Sequence, residues 1–359
     1  MTQTILLTGG AGYIGSHTYV ALKAAGFEVV ILDDFSNAAR DVPDRLELIT
    51  GAPVRLYEGS VLDRGLLARL FTETRIDAVV HFAARKAVGE SVAMPLAYFE
   101  TNCTGLVGLL QEMEAACVHR LVFSSSATVY GIPDVTPTPE TAPHRHMNPY
   151  GLTKITGELI LDALATSDPK WAFGTLRYFN PAGAHGSALI GEDPSDIPNN
   201  LMPYIAQVAM GQRPHLQVFG DDYPTPDGTG VRDYIHVEDL AEGHVLSLKS
   251  LLETGESHLV NLGTGRGYSV LEMVAAYSAA CGRALPYRIV DRRPGDVPIY
   301  CATVERARAL LGFEAKRDLA QMCASSWAWI QARAQANAAG RPTPPRQDGP
   351  YRPRGTPSA

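Results

Sequence analysis

The feature that most constrains the fold lies near the N-terminus. Ile5-Leu6-Leu7 is a short apolar run, Thr8 to Gly15 reads Thr-Gly-Gly-Ala-Gly-Tyr-Ile-Gly, and an apolar helical stretch follows to about Ala25. A strand, a glycine loop and a helix in that order begin a dinucleotide-binding unit. Gly9 permits the tight turn, Gly12 lets the backbone approach a pyrophosphate, and Gly15 lets the helix pack closely on the strand. The N–H groups of the first helical turn then face the anion. A second strand, Phe27 to Leu32, ends at Asp33. A carboxylate there accepts hydrogen bonds from the adenosine ribose and repels a 2′-phosphate, which points to NAD rather than NADP. Without the glycine loop upstream, Asp33 would read only as a turn cap.

The alternation continues. A third strand is expected at Val54–Tyr57, then a helix capped by Asp63 and carrying Leu66, Leu67 and Leu70. Ala78 to Phe82 is a fourth strand, with His81 read as a packed strand residue rather than a base. A long helix follows Pro95, its stripe Leu106, Leu109, Leu110 and Met113 serving as core or subunit interface. Strands at Arg120–Phe123 and Ala172–Arg177 complete the series. The fold class is α/β: a Rossmann-type, doubly wound parallel sheet. We expect an NAD-binding domain over 1–180, with a later segment near 235–263 returning to it. A smaller, loop-rich α/β substrate lobe is expected over 181–332. The Pro/Arg-rich tail, 340–359, lacks the apolar content to fold and is expected to be disordered.

Chemistry concentrates between Ser124 and Lys154. Ser124-Ser125-Ser126 sits at an expected strand end, where open α/β sheets bind ligands. Pro149 favours the first turn of a helix, so Tyr150 and Lys154, four apart, share one face near its start. A serine, a tyrosine and an ammonium suit proton transfer to and from an alcohol. Tyrosine is a poor base at its ordinary pKa of about 10, and a nearby lysine cation is expected to lower it. A Tyr-x-x-x-Lys pair is common on any helix; the upstream glycine loop is what lifts this one above its neighbours.

The second half supplies Arg232 and an Arg292-Arg293 pair. Arginines at two such places suit a bidentate phosphate clamp, or equally surface ion pairs. The net charge of -7 leaves no basic field for nucleic acid or an anionic membrane. Five dispersed cysteines suit a reducing compartment and form no zinc pattern, so no metal is expected. No signal peptide and no membrane span is read, which places the protein in the cytoplasm.

Taken together, these stretches resemble the extended short-chain dehydrogenase/reductase family. Within it, Lys86 to Ser91, Phe123 to Gly131, Glu192-Asp193-Pro194 with Ile197–Val208, and Asp227 to Val237 are similar to members that interconvert UDP-galactose and UDP-glucose. The resemblance covers Ile5 to about Trp329. It implies Ser126, Tyr150 and Lys154 as catalytic residues. It implies that Gly9, Gly12, Tyr13, Ile14, Gly15, Asp33, Asn37, Ser60, Val61, Phe82, Ala83, Lys86 and Phe179 join these three around NAD. Lys86, Asn180, Asn200, Leu201, Phe219, Arg232, Arg293, Asp296 and Tyr300 match the UDP-sugar site, with Ser126 and Tyr150. It also implies a homodimer through helices near 95–117 and 149–166. Ser60 stands where an aspartate usually faces the adenine, Arg85 where a leucine is frequent, and Thr101 where some members carry an amide. Two other functions remain open: a 4,6-dehydratase, and an NAD-binding sensor without catalysis.

Overall fold

The computed structural model describes residues 2–193, 200–293 and 295–338. The expected disordered tail lies outside the described residues, as do Ile197, Asn199 and Pro294. The first part runs β1 (Thr4–Thr8), α1 (Tyr13–Ala24), β2 (Glu28–Asp33), α2 (Val42–Thr50), β3 (Arg55–Glu58), α3 (Arg64–Glu73) and β4 (Ala78–His81). Next come α4 (Val88–Ala93), α5 (Pro95–Phe99), α6 (Gly105–Ala115), β5 (Arg120–Ser126), α7 (Pro149–Ser167) and β6 (Ala172–Tyr178). The remainder is β7 (Asn180–Ala182), α8 (Leu201–Ala209), β8 (Leu216–Phe219), β9 (Val231–His236), α9 (Val237–Thr254) and β10 (His258–Leu262). It ends with β11 (Gly267–Ser269), α10 (Val270–Cys281), β12 (Tyr287–Val290), β13 (Ile299–Tyr300), α11 (Glu305–Leu311) and α12 (Leu319–Ala338).

The main sheet has seven strands in the order β10-β6-β5-β4-β1-β2-β3, every pairing parallel. Both faces are buried, which is why its strands read as continuous apolar runs. Leu7, Ile31 and Val80 fill one face, and Leu6, Val30 and Val79 the other. The strand order reverses between β1 and β4, directly beside the glycine loop. Open sheets bind ligands in the crevice at such a reversal.

The structure corrects the element reading in three places. β5 does not stop at Phe123 but runs through all three serines. Their hydroxyls are satisfied inside: Ser124 bonds Tyr178 and Ser125 bonds Glu158. The helix after Pro95 is interrupted by a π-turn at Glu100–Thr104, between α5 and α6. There the buried Asn102 donates to Arg85 O and Thr153 Oγ1, at 3.0 Å each. The half read as loop-rich holds regular elements. Its small sheet is β11-β9-β13, with β7 also pairing β9, and β8 pairs β12 apart from it. Helices α8, α10 and α12 pack together over a second core of Met202, Ile205, Met273, Tyr277 and Met322. Among the described residues no helix is long and apolar enough to cross a membrane.

Candidate active site

Ser126 closes β5 and caps the short turn that follows, its Oγ accepting from Thr128 N at 3.2 Å. Asn148 caps α7 through Gly151 N at 2.9 Å, and Pro149 opens the helix. These two caps aim the strand end and the helix start at one point. The Ser126 and Tyr150 side chains come together there. Lys154 is buried one turn further along α7. Its Nζ donates to Ser124 O at 2.7 Å and stands 5.9 Å from the Tyr150 ring centre.

The expected electrostatic order is corrected here. Burial holds the Tyr150 phenol above its ordinary value, and only Ser126 beside it opposes that. Burial also draws the Lys154 ammonium down to about 8, against the pull of Cys103 and Glu158. Desolvation disfavours the charged form of both groups and is the largest cause of each shift. Lys154 spends its hydrogen bond on a carbonyl, not on the phenol.

On the cofactor side, Gly9 has φ +69°, and a Cβ there would meet Ala83 N at 2.7 Å. A Cβ on Gly15 would meet Gly9 O at 2.2 Å. Gly12 caps α1 with no side chain, leaving the first-turn N–H groups of Tyr13, Ile14 and Gly15 for an anion. Asp33 accepts from Ala11 N and Phe35 N, both at 2.9 Å, so it does brace the loop as a cap would. Burial raises its carboxyl to about 6. Asn37 is exposed on the loop after β2. Ser60 Oγ accepts from Leu62 N at 3.2 Å, and Val61 is buried beside it. Ala83 N lies 3.5 Å from Thr8 Oγ1, and the Phe82 ring is 4.7 Å from that of His244. His81 is buried, bonded to Thr8 Oγ1 at 2.7 Å and stacked on Phe123, a packed strand residue as read. An uncapped helix start, a cradle that any Cβ would fill and a carboxylate after β2 fit a dinucleotide.

A cleft of about 300 Å³ opens beside Ser126. Tyr178, Phe179, Asn180, Arg232, Asp296 and Tyr300 line it. β9 and β13 pair in parallel with Tyr300 opposite Arg232, which brings together residues far apart in the chain. Arg232 donates to Val297 O at 2.8 Å and lies 3.5 Å from Asp296. Arg293 bonds the same carboxylate at 3.0 Å and stands over the Phe219 ring at 4.6 Å. The Tyr300 hydroxyl donates to Ala127 O, and its ring is 5.3 Å from that of Phe179. Lys86, Asn200, Leu201, Phe219 and Arg293 do not line this cleft. Lys86 and Asn200 instead meet at Glu192, at 3.8 and 2.8 Å. Sequence reading gave no role to Glu192, Asn148, Met147 or Tyr178. Asn148 carried a readable signal, an N-cap residue directly before a helix-opening proline.

A family model described as the NAD dependent epimerase/dehydratase family matches residues 5–263. The chain belongs to that family. Among curated relatives, a UDP-glucose 4-epimerase of Bacillus subtilis (strain 168) is 55% identical, over 91% of this chain and 96% of its own. One from Dictyostelium discoideum is 51% identical, over 90% of this chain and 95% of its own. A UDP-glucose-4-epimerase from Stenotrophomonas maltophila, solved with NAD and formylated UDP-arabinopyranose, superposes with a TM-score of 0.91 at 51% identity. That likeness covers 93% of this chain and 99% of the other. The enzyme from Bifidobacterium longum, solved with NAD+ and UDP, gives 0.87 at 47% identity, covering 92% and 99%.

Proposed function

We propose that the chain interconverts UDP-galactose and UDP-glucose by inverting the sugar's C4, through a transient 4-keto sugar. The observation that carries this is the meeting of Ser126, Tyr150 and Lys154 beside an arginine-bearing cleft, in a chain so similar to UDP-glucose 4-epimerases. NAD, held by the residues around Gly9–Gly15, Asp33 and Lys86, supplies a hydride acceptor that is regenerated in each cycle.

Tyr150 takes the proton of the 4-hydroxyl and later returns it; Ser126, beside Tyr150, holds the sugar 4-oxygen and relays the proton. Positioned acid–base catalysis of this kind contributes about two to four orders of magnitude. Lys154 supplies the positive charge that favours the phenolate. Its Nζ donates to Ser124 O, so this role requires it to turn toward the phenol. The keto sugar must present both faces to one acceptor, so the sugar end needs room to rotate. The diphosphate therefore needs the firm hold. Arg232 and Arg293 share one carboxylate, Asp296, and a diphosphate exchanges for it as the better bidentate partner. Asn180, Asn200, Leu201 and Phe219 hold the rest of the nucleotide sugar. Elimination of water is not expected. Ala127 and Thr128 stand where dehydratases of similar sequence carry an acidic pair, and neither serves as acid or base at neutral pH.

Leu96, Val92 and Leu159 are 82%, 64% and 55% exposed on α5, α4 and α7, helices that pack on one another. Such an apolar face suits a second copy of the chain, in keeping with the homodimer that the resemblance implies. A cytoplasmic setting suits the free cysteines. The deciding experiment offers UDP-galactose and UDP-glucose separately, with no NAD added. Both should converge on one equilibrium mixture. Failure of either to convert, or a product lighter by one water, would sink the reading.

A further inference from the structure

Glu192 belongs to neither half of the site as read from sequence, yet it touches both. Its Oε1 accepts from Asn200 Nδ2 at 2.8 Å and lies 3.8 Å from Lys86 Nζ. The Glu192 side chain is 13% exposed, so this carboxylate is largely out of water, near the half-exposed Lys86 ammonium, the Asn200 amide and Tyr13.

Two observations show that the arrangement is built rather than incidental. The backbone under Glu192 is clamped by α12. Trp329 Nε1 donates to Glu192 O at 3.2 Å, and a Cβ on Gly191 would strike the Trp329 ring at 2.6 Å. Arg333 lies over the same ring and pairs with Asp193. Asn200, for its part, occupies the N-cap of α8, where an asparagine ordinarily accepts from the helix's own N–H groups. It makes no capping bond. Its amide goes to Glu192 instead.

We propose that Glu192 is a positioning residue that couples the cofactor side to the substrate side, by holding Lys86 and Asn200 at one carboxylate oxygen. This rests on the assignment of Lys86 to the NAD site, which it shares with the UDP-sugar site, and of Asn200 to the UDP-sugar, made above. Lys86 follows β4, whose end abuts the glycine loop at Gly9 and Ala83. Asn200 opens the helix that carries Leu201. A ligand that orders Asn200 orders Glu192, and through it Lys86. Such coupling is reciprocal, so UDP must tighten NAD by the factor by which NAD tightens UDP.

The test uses the purified holoenzyme and follows exchange of bound NAD for labelled NAD, with and without saturating UDP. In the unmutated protein UDP should slow exchange by about fivefold or more, the lower end of ordinary coupling. Glu192→Gln keeps the acceptor for Asn200 and removes the charge facing Lys86. It should cut UDP's protective factor at least about threefold while KM for UDP-galactose stays within about threefold. Glu192→Ala removes both contacts and should raise KM as well; if it does not fold, the isosteric Gln variant decides alone. A lesion that only loosened the fold would lower Tm and speed exchange equally with and without UDP. An unchanged protective factor in Glu192→Gln, or none in the unmutated protein, overturns the proposal. Conversion of UDP-galactose by the unmutated protein reads the function separately, so an active enzyme without UDP-dependent retention refutes the coupling and leaves the activity standing.

Discussion

The two sides of the cleft treat charge in opposite ways. On the β5–α7 side Tyr150, Lys154 and His81 are out of water with no oppositely charged group in contact, while Glu158, deeper on α7, is paired with Arg177 and His144. Tyr150 is held up and Lys154 held down by desolvation, and His81 behind them is lowered to about 3 by burial first and Lys154 second. On the β9–β13 side the cations are already paired. Arg232 and Arg293 share Asp296, whose side chain is 23% exposed, and Arg292 pairs with Asp222. The difference fits the work proposed for each side. Proton transfer gains from low dielectric, where small shifts in protonation matter. Holding a diphosphate needs cations kept soluble and oriented by an acid that the ligand displaces.

If that contrast is right, the largest effect belongs to the dry side. Tyr150→Phe should reduce kcat by about two to four orders of magnitude while binding of NAD and UDP changes little. Steady-state rates and equilibrium titration check this, and near-normal turnover removes Tyr150 from the chemistry. The wet side should respond in KM instead. Arg232→Ala should weaken UDP-galactose by about tenfold or more, since charge-assisted hydrogen bonds contribute about 1.5–3 kcal/mol. A loss confined to kcat would break the comparison.

Tyr300 sits between the two sides, anchored to Ala127 O and tilted against Phe179. We propose that its ring fills the space that a 2-acetamido group needs; overpacking there would cost about 1–3 kcal/mol. Tyr300→Cys should therefore raise kcat/KM for UDP-N-acetylgalactosamine about tenfold relative to UDP-galactose. Equal use of both sugars by the unmutated protein rejects the size argument.

The smallest expected effect is in pH. The working form carries one proton on the Tyr150–Lys154 pair, placed on the lysine. With Lys154 near 8 and Tyr150 above its ordinary value, the pair loses its first proton at the lower constant and its second at the higher. So kcat/KM of the free enzyme should rise as pH climbs through about 8 and fall only where the second proton leaves. A profile that falls through pH 8 would show that Tyr150 is already ionised below that pH and that its phenol is not held up by burial.

Much was legible because it is local. The Gly9–Gly15 loop, Asp33 and the Pro149-Tyr150 helix start declare themselves within a few residues, since turns, caps and helix faces depend on near neighbours. Periodicity placed β1, β2, β4 and β6 within a residue or two, because strands buried on both faces need continuous apolar runs. It ended β5 too soon, because a polar serine breaks the run whether or not a distant Tyr178 or Glu158 satisfies it. Arg232 and Arg293 could be read as a clamp or as surface pairs, and no spacing rule decides between them.

The sequence by itself determined the glycine loop and the parallel sheet, and singled out Ser126, Tyr150 and Lys154 for the chemistry proposed, through interactions spanning one strand, turn or helix. Only the tertiary structure decided where their charges stand and what they face. β13 pairs with β9 to set Tyr300 beside Arg232. α12 fixes the backbone of Glu192 so that its carboxylate meets Lys86 and Asn200. Desolvation of Tyr150 and Lys154 is likewise a property of everything packed around them. Burial and long-range pairing sum over groups hundreds of residues apart in some cases, and no window along the chain contains that sum.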